Sequence, residues 1–280
     1  MASQTPISEA SLQQKVEQCR QRLREVGRVL LAYSGGVDSS FLLALAVDTL
    51  GRPNVVAAMA VSTIFPQRDR KAGRELARQL DVELVEIETP QLADPEFTAN
   101  PTDRCYYCKS KLMHTLKELA AKRGLKVISG ANADDTTDYR PGSRAEEQLG
   151  IRRPLMEAML TKQEVRSASA AMGLASANRP SLACLATRIP YGQTITAQRL
   201  QRVEQAEESL LAMGFSQCRV RDHDNLARVE VPSNQIELAT RLRHEIVAKL
   251  KSHGFAYVTL DLQGFRSGSM NETLGGSEQR

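Results

Sequence analysis

The chain has no tryptophan, and phenylalanine and tyrosine together bring the aromatic content to only 4% of 280 residues. No stretch approaches the ~18 uninterrupted apolar residues that a membrane-spanning helix requires, which excludes a helical span. The opening residues, MASQTPISEASL, lack both the basic flank and the apolar core of a secretion signal and predict a cytoplasmic chain. Cysteine is sparse: five residues, at 19, 105, 108, 184 and 218. The number is odd and the spacing wide, so a secreted disulfide scaffold is excluded, and reduced thiols, metal or catalysis remain. Excess charge is small as well, 37 Lys plus Arg against 33 acids for a net +4. A protein that coats nucleic acid needs more, although a local basic patch or an anionic small molecule stays in play. Internal repeats and low-complexity tracts are also missing.

What is there is the composition of a soluble globular protein, 41% hydrophobic and 25% charged. At ~150 residues per domain the length predicts two domains. Leu12, Val16, Cys19, Leu23 and Val26 recur at helical spacing, which predicts a helix over 12–26 with Cys19 on its buried stripe. Val29 to Tyr33 is a continuous apolar run of strand length, followed by Ser34-Gly35-Gly36 and a helical segment from Phe41 to Leu50. The alternation continues with strands at 55–61, 82–87 and 126–129 and helices at 70–80 and 109–123. Strands without polar alternation, separated by helices, predict an α/β fold with a parallel sheet covered on both faces. Ligands of such a sheet sit at the carboxyl ends of its strands. Thr161-Lys-Gln-Glu164 reads as a capping box opening a helix that ends near Gly173.

Beyond a segment punctuated by Pro and Gly, NRPSLACLATRIPYGQT at 178–194, the texture changes. A helix at 196–213 is stopped by Gly214. Strands at 218–221 and 227–231 flank DHDN as a hairpin, a helix at 233–252 is stopped by Gly254, and a strand closes at 256–262. This predicts a smaller α+β domain over 178–280 after a first domain over 1–177. The tail from Asn271 is expected to lack structure.

Ser34-Gly35-Gly36-Val37-Asp38-Ser39-Ser40 lies between the first apolar strand and a helix. Paired glycines let backbone N–H groups surround an anion, and the helix start adds the positive end of its dipole. No Gly-Lys-Ser/Thr follows and Gly-x-Gly-x-x-Gly is absent, so the loop is neither a Walker loop nor a dinucleotide fingerprint. In this setting SGGVDSS resembles the PP-loop of the ATP pyrophosphatase superfamily, whose members cleave ATP between the α and β phosphates. The resemblance implies the parallel-sheet, adenine nucleotide alpha-hydrolase-like fold, with ATP held by Ser34, Gly35, Gly36, Asp38, Ser39 and Ser40. Gly130-Ala131-Asn132-Ala133-Asp134-Asp135 follows the strand at 126–129 and reaches the same sheet edge. Gly130 and Asn132 are candidate nucleotide contacts. Carboxylates beside ATP suit magnesium, with Asp38, Asp134 and Asp135 as candidate ligands.

Further motifs are RCYYCK at 104–109, GANADD at 130–135, DYRPGSRA at 138–145, RRPLMEAMLTKQEVR at 152–166, NRPSLACLATRIPYG at 178–192, CRVRDHDNLARVEV at 218–231 and GFRSGSMNE at 264–272. Together they resemble the LarE family, ATP-dependent sulfur transferases that build the nickel-pincer nucleotide cofactor of lactate racemase. The resemblance implies adenylylation of a carboxylate of pyridinium-3,5-biscarboxylic acid mononucleotide and sulfur insertion to give a thiocarboxylate. It also implies a homo-oligomer with a small-molecule substrate, no membrane partner, and a sulfur donor left unnamed. The family's sulfur-handling cysteine falls on Cys184, with Thr187 and Arg188 as its active-site neighbours. Arg219, Arg221 and Arg266 match the cluster that grips the substrate's phosphate, a task guanidinium forks suit. The family's aromatic residue ahead of this segment is replaced by Asn178 or Arg179. Tyr106, Tyr107 and Tyr139 are the substitutes available for stacking.

Cys105 and Cys108 open four possibilities: a [4Fe-4S] cluster completed by Cys184, as in related PP-loop tRNA thiolases; zinc, for which His114 is a poor fourth ligand; a redox pair serving Cys184; or cysteines without chemistry. The cluster makes the chain catalytic in sulfur, whereas without it Cys184 gives up its own sulfur and is consumed. Cys19 and Cys218 read as core. A tRNA thiolase, a regulator without turnover and an ammonia-dependent amide synthetase are the competing functions. The first needs a strongly basic face, the second the loss of Asp38 or the cysteines, and the third no set of three thiols.

Overall fold

The computed structural model describes residues 9–136, 141–180, 183–266 and 268–273. In chain order the elements are α1 (Glu9–Val26), β1 (Val29–Ala32), α2 (Val37–Leu50), β2 (Val55–Val61), α3 (Gln67–Gln79), β3 (Glu83–Glu88), α4 (Pro95–Thr98), α5 (Arg104–Arg123), β4 (Lys126–Ser129), α6 (Pro141–Gln148), α7 (Pro154–Glu157), α8 (Lys162–Ala171), α9 (Ala197–Ala212), β5 (Arg219–His223), β6 (Leu226–Glu230), α10 (Ile236–Arg241), α11 (Arg243–Ser252) and β7 (Tyr257–Leu260). The chain forms two compact units. One comprises Met1–Ser62, Gln67–Thr89 and Cys105–Leu182; the other Thr63–Pro66, Pro90–Arg104 and Ala183–Arg280. The sequence pattern places a boundary near residue 178 but gives no sign that 63–66 and 90–104 join the later unit. Both stretches are short, and neither carries a periodic apolar stripe of its own.

In the first unit four parallel strands stand in the order β3-β2-β1-β4. The unbroken apolar runs of β1 and β2 follow from burial on both faces. Val29 and Leu31 join one core with α1 and α2, while Leu30 joins another with Met113, Leu116 and Ala120 of α5. Val55, Ala57 and Met59 divide from Val56 and Ala58 in the same way. At the edge, β3 exposes Glu83 and Glu86, which pair with Arg123 and Arg74. Such charges discourage a further strand from pairing there. The chain steps outward from β1 to β3 and returns to the other side of β1 as β4, so the strand order reverses beside β1. A reversal of this kind opens a crevice at the carboxyl ends of the two strands.

Helix α5 begins at Arg104, not Lys109, so Cys105 and Cys108 lie within its first turns and not ahead of it. The capping box of α8 is present, with Thr161 and Glu164 bonding reciprocally. In the second unit β5 and β6 form the expected hairpin, and β7 adds parallel to β6. The core there joins Val220, Ala227 and Val229 to Ala206 and Leu210 of α9 and Ile246 and Leu250 of α11. The single helix expected at 233–252 is interrupted at Leu242, and nothing in the residues around it explains the break. The tail expected to be unstructured from Asn271 instead carries a 3-10 turn over Ser269–Thr273.

Cys19 and Cys218 are core residues, as their positions on apolar stripes predict. Burial, reinforced by Glu157, pushes the Cys19 thiol from 9.0 up to about 12. The folded chain therefore holds this proton between pH 9 and 12 while the unfolded chain loses it. The contribution is complete below pH 9 and is lost as pH climbs toward 12. Native protein is expected to leave Cys19 unalkylated below pH 9 until denaturant is added, and Cys19→Ala to flatten the alkaline fall in stability; peptide mass spectrometry and denaturant melts check both.

Candidate active site

The loop after β1 is built by its own hydroxyls. The Ser34 and Ser39 Oγ atoms lie 3.0 Å apart, Gly36 N–H donates to Ser34 Oγ at 3.3 Å, and Ser39 Oγ donates to Gly36 O at 3.2 Å. Ser40 is buried, and its N–H donates to Gly36 O as α2 starts. Gly35 has φ of +75°, and a Cβ there would stand 3.1 Å from Asp69 O. Gly130, at the end of β4, approaches the same helix start so closely that a Cβ would lie 2.9 Å from Ser39 N. The two loops named from sequence thus meet at the crevice.

Asp38 carries one charge contact and one open acceptor. Its Oδ2 takes a hydrogen bond from Lys162 Nζ at 2.5 Å. Its Oδ1 is buried without a hydrogen-bond partner among the described residues. Lys162 is the first residue of α8, and its N–H donates to Asp134 Oδ2 at 2.8 Å. Asp135 Oδ2 accepts from Asn132 N–H at 2.9 Å, and Asn132 Oδ1 accepts from Asp134 N–H at 3.0 Å. Asp134 and Asp135 thus shape the loop, while Asp38 keeps a hard oxygen available to a cation. Lys162 went unread although it stands inside the capping box, whose Thr161 fixes where the helix begins.

In the same unit α6 lies over the first turns of α5. Lys109 Nζ stands 2.7 Å from Glu146 Oε1, a fully buried carboxylate. The Arg144 guanidinium lies 4.3 Å from the Tyr106 ring, and Tyr106 Oη donates to Gln148. A Cβ at Gly142 would come within 3.7 Å of Cys105 O. Cys105 and Cys108 are half-buried. His114 turns back to Ser110 O at 2.8 Å. Tyr139, Ser181 and Leu182 lie outside the described residues. Among the described residues, within either unit, no three His, Cys, Asp or Glu side chains gather to hold a metal ion.

In the second unit half-buried Cys184 caps a one-turn 3-10 helix, Leu185–Arg188. Its carbonyl accepts from Thr187 N–H at 3.0 Å, Thr187 Oγ1 at 2.8 Å and Arg188 Nη1 at 3.0 Å. Arg188 and Glu207 form a fully buried fork, at 2.8 and 2.9 Å. Arg221 forks likewise onto buried Glu230, at 3.0 and 2.7 Å, and donates to Thr187 O and Ser269 Oγ. Arg219 donates to Cys218 O and lies 5.3 Å from the Phe265 ring. Arg188 and Arg221 thus each fork onto a buried carboxylate, and Arg228 also reaches Glu230 at 3.2 Å. Burial, followed by the like charge of Arg188, pulls the Arg219 guanidinium down to about 10. Arg266 is half-buried and paired with Glu272 and Asp261. Glu207 is absent from the sequence reading; the signal that could have marked it is an acid set among Leu200, Val203 and Leu210 on the buried stripe of α9.

A phosphate-binding loop at a strand-order reversal, with a second loop closing on it, defines a PP-loop enzyme that uses ATP. The NAD synthase family model matches residues 7–104. An NH3-dependent NAD+ synthetase of Methanopyrus kandleri is 39% identical over 27% of each chain. An uncharacterised protein of Synechocystis sp. is 43% identical over 94% of this chain and 99% of its own. The pyridinium-3,5-bisthiocarboxylic acid mononucleotide synthase of Lactiplantibacillus plantarum is 38% identical over 90% of this chain and 92% of its own. With that coverage, this chain belongs to the LarE family of PP-loop enzymes.

The close approach at Gly130 leaves no room for a side chain. Gly130→Ala is expected to weaken ATP binding about tenfold or more, ~1.4 kcal/mol, with the far-ultraviolet circular dichroism unchanged; calorimetric titration measures it.

Proposed function

We propose that the protein is an ATP-dependent sulfurtransferase that converts carboxylates of pyridinium-3,5-biscarboxylic acid mononucleotide into thiocarboxylates for the nickel-pincer cofactor. The observation that carries this reading is a glycine-lined phosphate loop and a clamped cysteine turn in one chain of this family. A carboxylate is a poor electrophile because its leaving group is oxide. Attack of its oxygen on the α-phosphorus of ATP breaks the α–β bond, releases pyrophosphate and leaves an acyl-adenylate. A thiolate sulfur then attacks the acyl carbon, and AMP leaves as a stable phosphate.

Residues of the first unit fit magnesium-ATP. Ser34, Gly35, Gly36, Ser39 and Ser40 surround the pyrophosphate end, with Gly130 and Asn132 at the facing loop. Asp38, through its unpartnered oxygen, would take the metal, which binds by one or two carboxylates plus substrate phosphates. Asp134 is tied to the N–H of Lys162 and orients the lysine that faces Asp38. When bound there, magnesium would supply charge neutralisation for the pyrophosphate.

Arg219, with Arg221 and Arg188 beside it, forms a buried cluster of guanidiniums suited to the substrate's phosphate. Arg266 stands at the same end of the chain's motif set. Their forks match phosphate oxygens. Arg219→Ala is expected to raise the KM for the mononucleotide about tenfold or more, with little change in the KM for ATP.

The sulfur chemistry belongs to Cys184, with Cys105 and Cys108. Two thiols three residues apart on the first turns of α5 lie on one face of the helix and suit soft metal. Together with Cys184 they would hold a [4Fe-4S] cluster, which when bound supplies an open iron for exogenous sulfide. In a second reading Cys184 is itself consumed. Its sulfur forms a thioester with the activated carboxylate. Loss of its Cα proton then breaks the Cβ–S bond and leaves dehydroalanine in the chain and thiocarboxylate on the substrate. A homo-oligomer assembled through residues 178–280 completes the proposal.

Anaerobic protein with substrate and ATP is expected to yield AMP and pyrophosphate; ADP in their place would remove the assignment. About four irons per chain, lost in Cys184→Ala, support the cluster. Iron-free protein that turns over once and gains dehydroalanine at position 184, seen by mass spectrometry, supports the consumed cysteine.

A further inference from the structure

Two of the largest fully buried side chains in the molecule are arginines, Arg104 and Arg188, each 1% exposed. Both donate to carbonyls of the turn that carries Cys184. Arg188 is balanced by Glu207. Arg104 is held differently. Its Nη1 donates to Asn100 Oδ1 and, at 3.3 Å, to Ala186 O. Its guanidinium lies 5.8 Å from the rings of Phe97 and of Tyr191, and its Nε is buried with no hydrogen-bond partner among the described residues.

A buried cation on neutral acceptors is strongly unfavourable unless its surroundings hold it in place. Those surroundings are specific. Asn100 is fully buried with φ of +57°, in the left-handed region that few residues other than glycine adopt. Its Nδ2 donates to Ile189 O, Pro190 O and Gln193 O at 3.2, 2.7 and 3.1 Å. Its own carbonyl accepts from Gly192 N–H, and Thr98 O accepts from Ile195 N–H. Leu185 N–H donates to Ile64 O at 2.7 Å. The stretch 95–104 thus grips the chain from Ala186 to Ile195, all within the second unit. A methionine at 104 would fill the same volume between the rings and leave Ala186 O without its donor.

We propose that Arg104, oriented by Asn100, is a positioning residue for Cys184. It holds Ala186 O while Arg188 and Thr187 hold the carbonyls of Ala183 and Cys184, so the single turn has one arrangement and the Cys184 thiol one direction of approach. Arg104 touches no reacting atom in this role. Misplacement of a reacting group by ~1 Å costs on the order of a hundredfold in rate, which is the sensitivity the clamp addresses. The inference rests on the reading of Cys184 as the sulfur nucleophile.

The test compares wild type, Arg104→Met and Arg104→Lys by three measurements on the full chain. Iodoacetamide labelling of Cys184 is followed by peptide mass spectrometry, with buried Cys218 as internal control. Turnover is split into ATP-driven pyrophosphate release and thiocarboxylate formation. In Arg104→Met, labelling of Cys184 is expected to quicken and thiocarboxylate formation to fall about tenfold or more. Pyrophosphate release should stay within about twofold of wild type and Cys218 should stay protected. Arg104→Lys, which keeps a donor, is expected to recover part of both losses. Unchanged labelling and turnover in Arg104→Met overturns the proposal. So does a parallel loss of every readout, with Cys218 exposed or both variants unfolded, because that is a purely structural role. If wild type makes no thiocarboxylate, the functional reading fails, while the labelling comparison still decides whether Arg104 orders the Cys184 turn.

Discussion

Burial of β1 on both faces is the constraint on which the first unit depends. Val29 and Leu31 face one core and Leu30 the other, so the strand has no polar side and must be central. A central strand with β2 on one side and β4 on the other puts the order reversal at its own carboxyl end. The loop Ser34–Ser40 and the loop Gly130–Asp135 meet there for that reason. Their contact tolerates no side chain at Gly130, and the residue that bridges them electrostatically, Lys162, is delivered by a helix whose start is fixed by a capping box. Core packing, loop geometry and nucleotide chemistry are one chain of consequences.

The second unit works by a different economy of forces. Its core is small, and much of its interior is ionic: Arg188 with Glu207, Arg221 with Glu230, and Asp222 held by Arg199 and Arg202. Buried ion pairs add little net stability compared with apolar packing, and they fix geometry strongly because a broken pair leaves a bare charge. That trade suits the ordered turn proposed for Cys184.

The order of strands and helices in the first unit was readable because its two central strands β1 and β2 are unbroken apolar runs and its main helices carry clear stripes. The short helices α4, α6 and α7 were not, since helices of four to eight residues hold too few turns to show a period. The start of α5 was misplaced because its apolar stripe begins only at Leu112 and Met113, while its first turns hold Arg104, tyrosines and cysteines. Of the site, the glycine and hydroxyl residues of the loop were legible, since their chemistry is local. The carboxylates that balance the arginines were not named. Glu207 and Glu230 acquire their roles only when α9, β5 and β6 fold against one another, and Arg104 only when residue 186 comes beside it.

The five thiols divide by exposure into two classes, Cys19 and Cys218 sealed in cores, and Cys105, Cys108 and Cys184 half open to solvent. Susceptibility to peroxide follows access and thiolate character. An oxidising burst therefore reaches the three sulfurs assigned to chemistry before it reaches either of the two assigned to packing. Sulfenic acid at any of them is reversible by a reductant, and further oxidation is not. The molecule under oxygen would lose its sulfur transfer while keeping its shape and its grip on nucleotide, an inactive enzyme that still looks intact to every measurement of folding.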